Sequence, residues 1–253
     1  MKKPNKVALI IPAYNEEQRI RPTLQAYHSY FDAQCKKNGL NFEIVVALNG
    51  CSDNTYNIVD DIQGSLEQIT LLNLPQAGKG YAITEGFKYA LGADADLIGF
   101  VDADMATSPQ EFYHLIEGIG KKDGIIASRY MKGAVVMPPR PKLKRWGSKI
   151  VYEPLVRMLL DLSYKDLQCG AKLFKRKVIK QIVDYLKVRQ WAFDVELLYL
   201  CKIFKFSIKE IPTVWHDQAL SKLKPFHGGM RMLSSILEIR KNHAHLRNQK
   251  NLG

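Results

Sequence analysis

Cysteine is scarce in this chain. Cys35, Cys51, Cys169 and Cys201 are the four in 253 residues, no two stand at C-x-x-C spacing, and no histidine lies at zinc-site spacing from any of them. Both a disulfide framework and a structural zinc are thereby disfavoured, and reduced packing residues are expected. Long hydrophobic runs are also missing. The longest, Val7 to Tyr14, covers 8 residues and contains Pro12, against the ~18 uncharged apolar residues that a bilayer span requires. The lysines of the opening MKKPNK are followed by an apolar segment too short for a secretory h-region. Neither a transmembrane chain nor a secreted one is expected, and cytoplasmic residence is. There is no internal repeat, no low-complexity tract and no G-x-x-x-x-G-K-[ST] phosphate loop.

What is present is ordinary globular material, 46% hydrophobic and 25% charged, enough for one large α/β domain or one domain with an appended tail. Charge is distributed unevenly. Residues 1–128 carry 11 basic and 16 acidic groups, residues 129–180 carry 14 and 3, and residues 221–253 carry 7 and 1, within a net charge of +12. An acidic first half beside a basic stretch suggests one side that handles metal and one that faces anions. Nucleic acid is not the expected anion. The cations are not interleaved with an RNA-stacking aromatic motif, and Asp102 and Asp104 would repel a phosphate backbone unless a metal lay between them.

The first half alternates two periodicities. Strands are expected at Val7–Pro12, Glu43–Leu48, Ile69–Leu72, Leu97–Val101 and Gly124–Ser128. Helices are expected from Glu17 to Cys35, from a cap at Ser52 or Asp53 to about Ile62, from Lys79 to Leu91, and after Ser108, where Ser-Pro-Gln-Glu reads as a capping box. Strands apolar on both faces, alternating with helices, imply a parallel sheet covered on both sides. Ligands bind such sheets beyond the carboxyl ends of their strands. Further on, Met137–Pro141 reads as a loop, Leu143–Leu160 and Ala192–Phe206 as helices, Lys172–Phe174 and Ser207–Trp215 as strands, and a last helix follows Gly228-Gly229.

Chemistry-bearing residues fall where that architecture wants them. Asp102-Ala103-Asp104 follows a buried strand; two carboxylates so spaced hold a hard divalent cation or serve as a helix cap. Gly78-Lys79-Gly80 opens a helix and suits either an anion or a tight turn. Asp166-x-Gln168-Cys169-Gly170-x-Lys172 groups an acid, an amide and a cation, or is a turn before a strand. Asp194 and Glu196 open a helix, where acids also favour the dipole. Arg129, Arg145, Lys222 and Lys224 are cations of the basic portion.

Taken together, Val-Ala-Leu-Ile-Ile-Pro-Ala-Tyr-Asn-Glu-Glu at 7–17 with Asp-Ala-Asp about 90 residues later resembles inverting family-2 glycosyltransferases of the GT-A fold, an α/β fold with a central, mostly parallel sheet flanked by helices. Asp166–Phe174, Gln190–Tyr199 and Ser221-Lys222-Leu223 look like the dolichyl-phosphate β-glucosyltransferase branch. The resemblance implies a catalytic domain over 1–220 and a basic loop and amphipathic helix over 221–253. It implies that Pro12, Ala13, Tyr14 and Glu16 cradle the uridine of a UDP-sugar. Asp102 and Asp104 would reach ribose and diphosphate, as ligands of Mg²⁺ or Mn²⁺. Lys79, Arg129 and Lys222 would face phosphate, with Asp104, Arg129, Asp166 and Lys172 in the catalytic set. Asp166, Gln168, Lys172, Arg145, Asp194 and Glu196 would serve the polyprenyl phosphate acceptor. The family usually shows Asp-Asp-Gly-Ser where this chain has Asn49-Gly50-Cys51-Ser52; Asn49 is expected to accept from uracil N3–H through its amide oxygen. Ala106 stands where mannose synthases supply a further metal ligand, so that role does not transfer. The basic tail is expected to meet an anionic membrane surface from the cytoplasmic side. A soluble relative acting on a glycan, protein or small molecule is the alternative.

Overall fold

The computed structural model describes residues 4–138, 153–190, 192–217 and 228–250. The chain opens as β1 (Lys6–Ala13), α1 (Ile20–Asn38), β2 (Asn41–Asn49), α2 (Thr55–Ser65), β3 (Ile69–Leu74), α3 (Lys79–Gly92), β4 (Leu97–Phe100), α4 (Pro109–Gly118) and β5 (Gly124–Ser128). It continues as β6 (Val135–Met137), α5 (Glu153–Leu160), β7 (Lys172–Lys175), α6 (Arg176–Ile182), α7 (Phe193–Ile203), β8 (Ile208–Pro212), β9 (Val214–His216), α8 (Gly228–Asn242) and α9 (Ala244–Lys250).

Among the described residues seven strands form one sheet in the order β3-β2-β1-β4-β7-β5-β8. The side-chain period of two divides each central strand between two cores. Ala8 and Ile10 of β1 pack with Ala82, Ile83 and Phe87 of α3, whereas Val7, Leu9 and Ile11 pack with Leu24, Tyr27 and Phe31 of α1. Both faces are thus covered, as the apolar runs required. The sheet is parallel except for β7, which runs antiparallel to β4 and β5. β7 is fed by the 166–171 loop at the carboxyl rim, so it can only run back.

Three expectations are corrected. Ser207–Trp215 is two strands in two sheets: β8 pairs with β5, and β9 pairs with β6 in a separate ribbon. The switch falls at Thr213, whose Oγ1 donates to Glu111 Oε2 (2.9 Å), as does the Val214 amide (2.8 Å). That use of Glu111 leaves the capping box one-sided: Ser108 Oγ accepts from the Glu111 amide at 3.3 Å, but the Glu111 carboxylate is spent on the β8–β9 corner. Finally, α1 starts at Ile20, because the amides of Arg19 and Ile20 both turn back to the Glu16 carbonyl. The α6 helix was not anticipated, although Val178, Ile179 and Ile182 have helical spacing and are buried. Of the expected Leu143–Leu160 helix, residues 143–152 lie outside the described residues, as does most of the proline loop.

Candidate active site

β1, β2 and β4 end on one rim, and β7 begins there, with Lys172 opposite Phe100. Asp102 follows β4 by one residue, Val101, whose amide still bonds to the Ile10 carbonyl of β1 (3.0 Å), so its position is set by the register of the sheet. Lys79, the first residue of α3, places its ammonium 2.6 Å from Asp102 Oδ1 and 3.7 Å from Asp194 Oδ2. Asp194 Oδ1 in turn lies 2.5 Å from Lys172 Nζ, which also donates to the Cys169 carbonyl at 2.6 Å. The result is a row of alternating charge, Asp102, Lys79, Asp194, Lys172. Burial opposes the charge on Lys79, but Asp102 and then Asp194 outweigh it and raise the ammonium's pKa. Gly170 makes room for Asp102: a Cβ there would stand 1.9 Å from Asp102 Oδ2.

Asp104 is half-buried, and its Oδ1 accepts from the Ala106 amide at 3.0 Å across Met105, whose φ is +59°. Burial first, and the neighbouring Asp102 charge second, push the Asp104 pKa up. The loop is gripped from α1: Thr23 Oγ1 donates to the Ala103 carbonyl (2.9 Å) and Tyr27 Oη to the Thr107 carbonyl (2.7 Å). Sequence reading missed both roles. Their one signal is a hydroxyl on each of two residues one turn apart on the buried stripe of α1.

The residues expected to cradle the nucleotide lie around the end of β1. Tyr14 is 46% exposed at the rim, and the Glu16 carboxylate pairs with Arg19 at 2.7 Å while its amide donates to Thr55 Oγ1. Pro12 and Ala13 close β1, the Ala13 carbonyl accepting from Asn49 Nδ2 (2.8 Å). Asn49 itself does not match its expected role as a base reader. It is buried, and its amide oxygen already accepts from the Gly78 amide at 3.0 Å. Its place is that of a brace between β1 and the start of α3.

The acceptor-side expectations change most. Asp166 is 1% exposed and makes a bidentate pair with Arg129 (2.7 and 2.8 Å), while also accepting from the Arg129 and Gln168 amides. Burial would raise its pKa, but Arg129 overrides that and holds it low. Arg129 lies 4.9 Å from the Trp215 ring. Lys172 and Asp194 are buried in the charge row, and Glu196, wholly buried, accepts from the Lys187 and Val188 amides and faces His243 Nε2 at 2.8 Å. Asp166, Lys172, Asp194 and Glu196 are therefore buried and paired within the protein, with Asp194 Oδ2 more loosely engaged, 3.7 Å from Lys79. Gln168 remains half-buried beside them. Arg145 and Lys222 lie outside the described residues.

Among the described residues no cluster of three His, Cys, Asp or Glu side chains could hold a metal. The two carboxylates of Asp102 and Asp104 nevertheless suit Mg²⁺ or Mn²⁺. Those hard cations accept one or two protein carboxylates when phosphate oxygens complete the shell, and the mutual repulsion registered at Asp104 favours a cation beside it.

Residues 8–183 match the Glycosyl transferase family 2 domain. The chain belongs to this family. Among similar proteins, a dolichyl-phosphate β-glucosyltransferase of Trichomonas vaginalis, ALG5D, is 34% identical over 92% of this chain and 72% of its own length. The dolichyl-phosphate β-glucosyltransferase of Saccharomyces cerevisiae is 30% identical over 92% of this chain and 74% of its own. Among solved structures, the glucosyl-3-phosphoglycerate synthase of Mycobacterium tuberculosis, crystallised with Mn²⁺, UDP and glucosyl-3-phosphoglycerate, superposes with a TM-score of 0.63 at 16% identity, covering 94% of this chain and 80% of that one. That likeness is one of fold. The family-2 glycosyltransferase described here thus has the GT-A architecture read from its sequence. Among its described residues no helix is long and apolar enough to cross a membrane.

Proposed function

We propose that this family-2 glycosyltransferase moves glucose from UDP-glucose onto a polyprenyl phosphate of the dolichyl kind, with inversion at C1. The observation that carries the reading is the carboxylate pair Asp102/Asp104 at the sheet rim beside Tyr14 and Lys79. The names of the relatives, similar over nine-tenths of the chain, supply the acceptor class.

In this reading an acceptor phosphate oxygen forms a bond to C1 as the bond from C1 to the UDP oxygen breaks on the opposite face. UDP leaves with the bonding electrons. A phosphate monoester has a second pKa near ~6, so it is already a nucleophilic anion at neutral pH and needs no strong base. The committed geometry of Asp166 agrees with that, since its oxygens are held by Arg129. Asp102 and Asp104 would hold Mg²⁺ or Mn²⁺, which when bound neutralises charge on the departing diphosphate. Lys79 adds positive charge beside that pair, and Tyr14 offers an exposed ring at the base-binding end.

A polyprenyl acceptor lies in a membrane. The basic 221–253 segment and the exposed Leu237 support contact with an anionic leaflet, the negative one being that of the cytoplasmic face. A panel of UDP- and GDP-sugars, scored by melting temperature with Mn²⁺, is expected to single out UDP-glucose. Label from UDP-glucose is then expected to pass to dolichyl phosphate. Transfer only to water-soluble acceptors would instead establish the soluble-acceptor alternative.

A further inference from the structure

Lys79 is fixed at its backbone and balanced at its tip. On one side the Gly78 amide donates to Asn49 Oδ1 (3.0 Å); on the other the Gly80 amide donates to the Arg189 carbonyl (2.9 Å). A Cβ at Gly80 would stand 2.4 Å from the Val188 carbonyl, so this helix start is wedged against the 187–190 segment. The Lys79 ammonium lies between two carboxylates, hydrogen-bonded to Asp102 (2.6 Å) and loosely placed against Asp194 (3.7 Å). Lys172, at 2.5 Å, occupies the other oxygen of Asp194 and leaves Oδ2 facing Lys79.

We propose that Lys79 is a resident counter-ion that competes with the divalent cation for the carboxylate pair, holding Asp102 and yielding it by shifting toward Asp194 when cation and nucleotide bind. This rests on the reading of Asp102 and Asp104 as cation ligands. An ammonium hydrogen-bonded to Asp102 and a divalent ion on the same pair repel one another at close range. Asp194 provides the lysine a second anionic partner, so the charge need not return to water. Asp194 is thus a positioning residue for Lys79, and Lys172 fixes Asp194. The consequence is a site that binds the bare cation weakly and the cation with nucleotide diphosphate well.

The test is Mn²⁺ binding to the whole chain without nucleotide, read from the free-ion electron paramagnetic resonance signal. Lys79→Met is expected to tighten Mn²⁺ binding by about fivefold or more, the scale of ordinary coupling between competing ligands. Lys79→Arg, which keeps the charge, should stay near the wild type. Lys79→Gln repeats the neutral substitution should Met disturb folding, which circular dichroism reports. In the wild type, labelling lysine Cε with ¹³C gives a test without substitution: Mg²⁺ alone should move the Lys79 resonance. Unchanged Mn²⁺ affinity in folded Lys79→Met or Lys79→Gln, or a stationary Lys79 resonance, overturns the proposal. The parent reading is judged separately: Asp104→Asn should bind Mn²⁺ more weakly with UDP present, and wild-type affinity there would place the cation elsewhere.

Discussion

Arg129 and Asp166 bury a full charge each, and both oxygens of the acid are taken up by the arginine side chain. Because burial removes the alternative of hydration, loss of either partner leaves the other uncompensated, at a cost of about 3–5 kcal/mol. Asp166→Asn is therefore expected to lower the melting temperature at pH 7 by about 6–20 °C, taking 2–4 °C per kcal/mol for a chain of this size. The sign with pH follows from the depressed carboxyl pKa. The stabilisation is fully present above the unfolded value near ~3.9 and fades as pH falls through the folded one. The gap between wild type and variant, measured by calorimetry, should thus close below about pH 4; a gap independent of pH would mean that the charge of Asp166 is not what stabilises the fold. Such a residue is recognisable in sequence as an acid in a polar motif, but its partner is not. The same holds across the site: Asp102, Asp104 and Lys79 were legible as residue types at strand and helix ends. The Lys79–Asp102 and Lys172–Asp194 pairs, the grip of Thr23 and Tyr27, and the need for glycine at 170 arise only when segments far apart in sequence are brought together.

Elements read well wherever one periodicity runs uninterrupted. β1, β2, β4 and β5 are short apolar runs, and α1 and α3 carry regular stripes, so the five-strand, four-helix opening was legible to within a few residues. The failures have a common physical source. The break between β8 and β9 is fixed by a carboxylate 102 positions away, and the direction of β7 is fixed by the rim loop that feeds it. A similar long-range tie governs the start of α7. Glu196 there accepts from two amides of the 187–188 turn and faces His243 of the C-terminal pair of helices, both side chains fully buried. Through the Arg189 carbonyl that same turn holds the amides of Gly80 and Tyr81 at the start of α3. Removing the acid with Glu196→Ala takes the acceptor from two part-buried amides, at no more than about 1–3 kcal/mol each. The expected outcome is faster amide hydrogen exchange at Lys187 and Val188, extending into Gly80 and Tyr81. Acceleration confined to 187 and 188 would show that the turn and the start of α3 open independently.

At the scale of the molecule the proposed lipid-borne acceptor raises the question of which surface would meet a membrane, since no described helix is long and apolar enough to cross one. The C-terminal helices divide their side chains between two tasks. Ile236, Ile239 and Leu246 belong to the core that also contains α3 and α7. Leu237 is 52% exposed, and Arg240, Lys241 and Arg247 are exposed as well. Deleting this region would open the core and confound any binding measurement, so the informative change is on the outer face alone. Combined Arg240→Glu, Lys241→Glu and Arg247→Glu should leave the fold intact and weaken partition onto vesicles containing phosphatidylserine. With each surface-near cation worth ~1 kcal/mol, losing three lowers the partition constant by about a hundredfold or more. Wild-type binding should itself weaken as salt rises, since the screening length falls from about 8 Å at 0.15 M to about 3 Å at 1 M. Adding Leu237→Ser then separates the apolar share, because a contact made by that side chain persists at high salt while the electrostatic one does not. Co-sedimentation that is indifferent both to the charge reversals and to salt, or absent in the wild type, would overturn the proposal that this face meets an anionic leaflet.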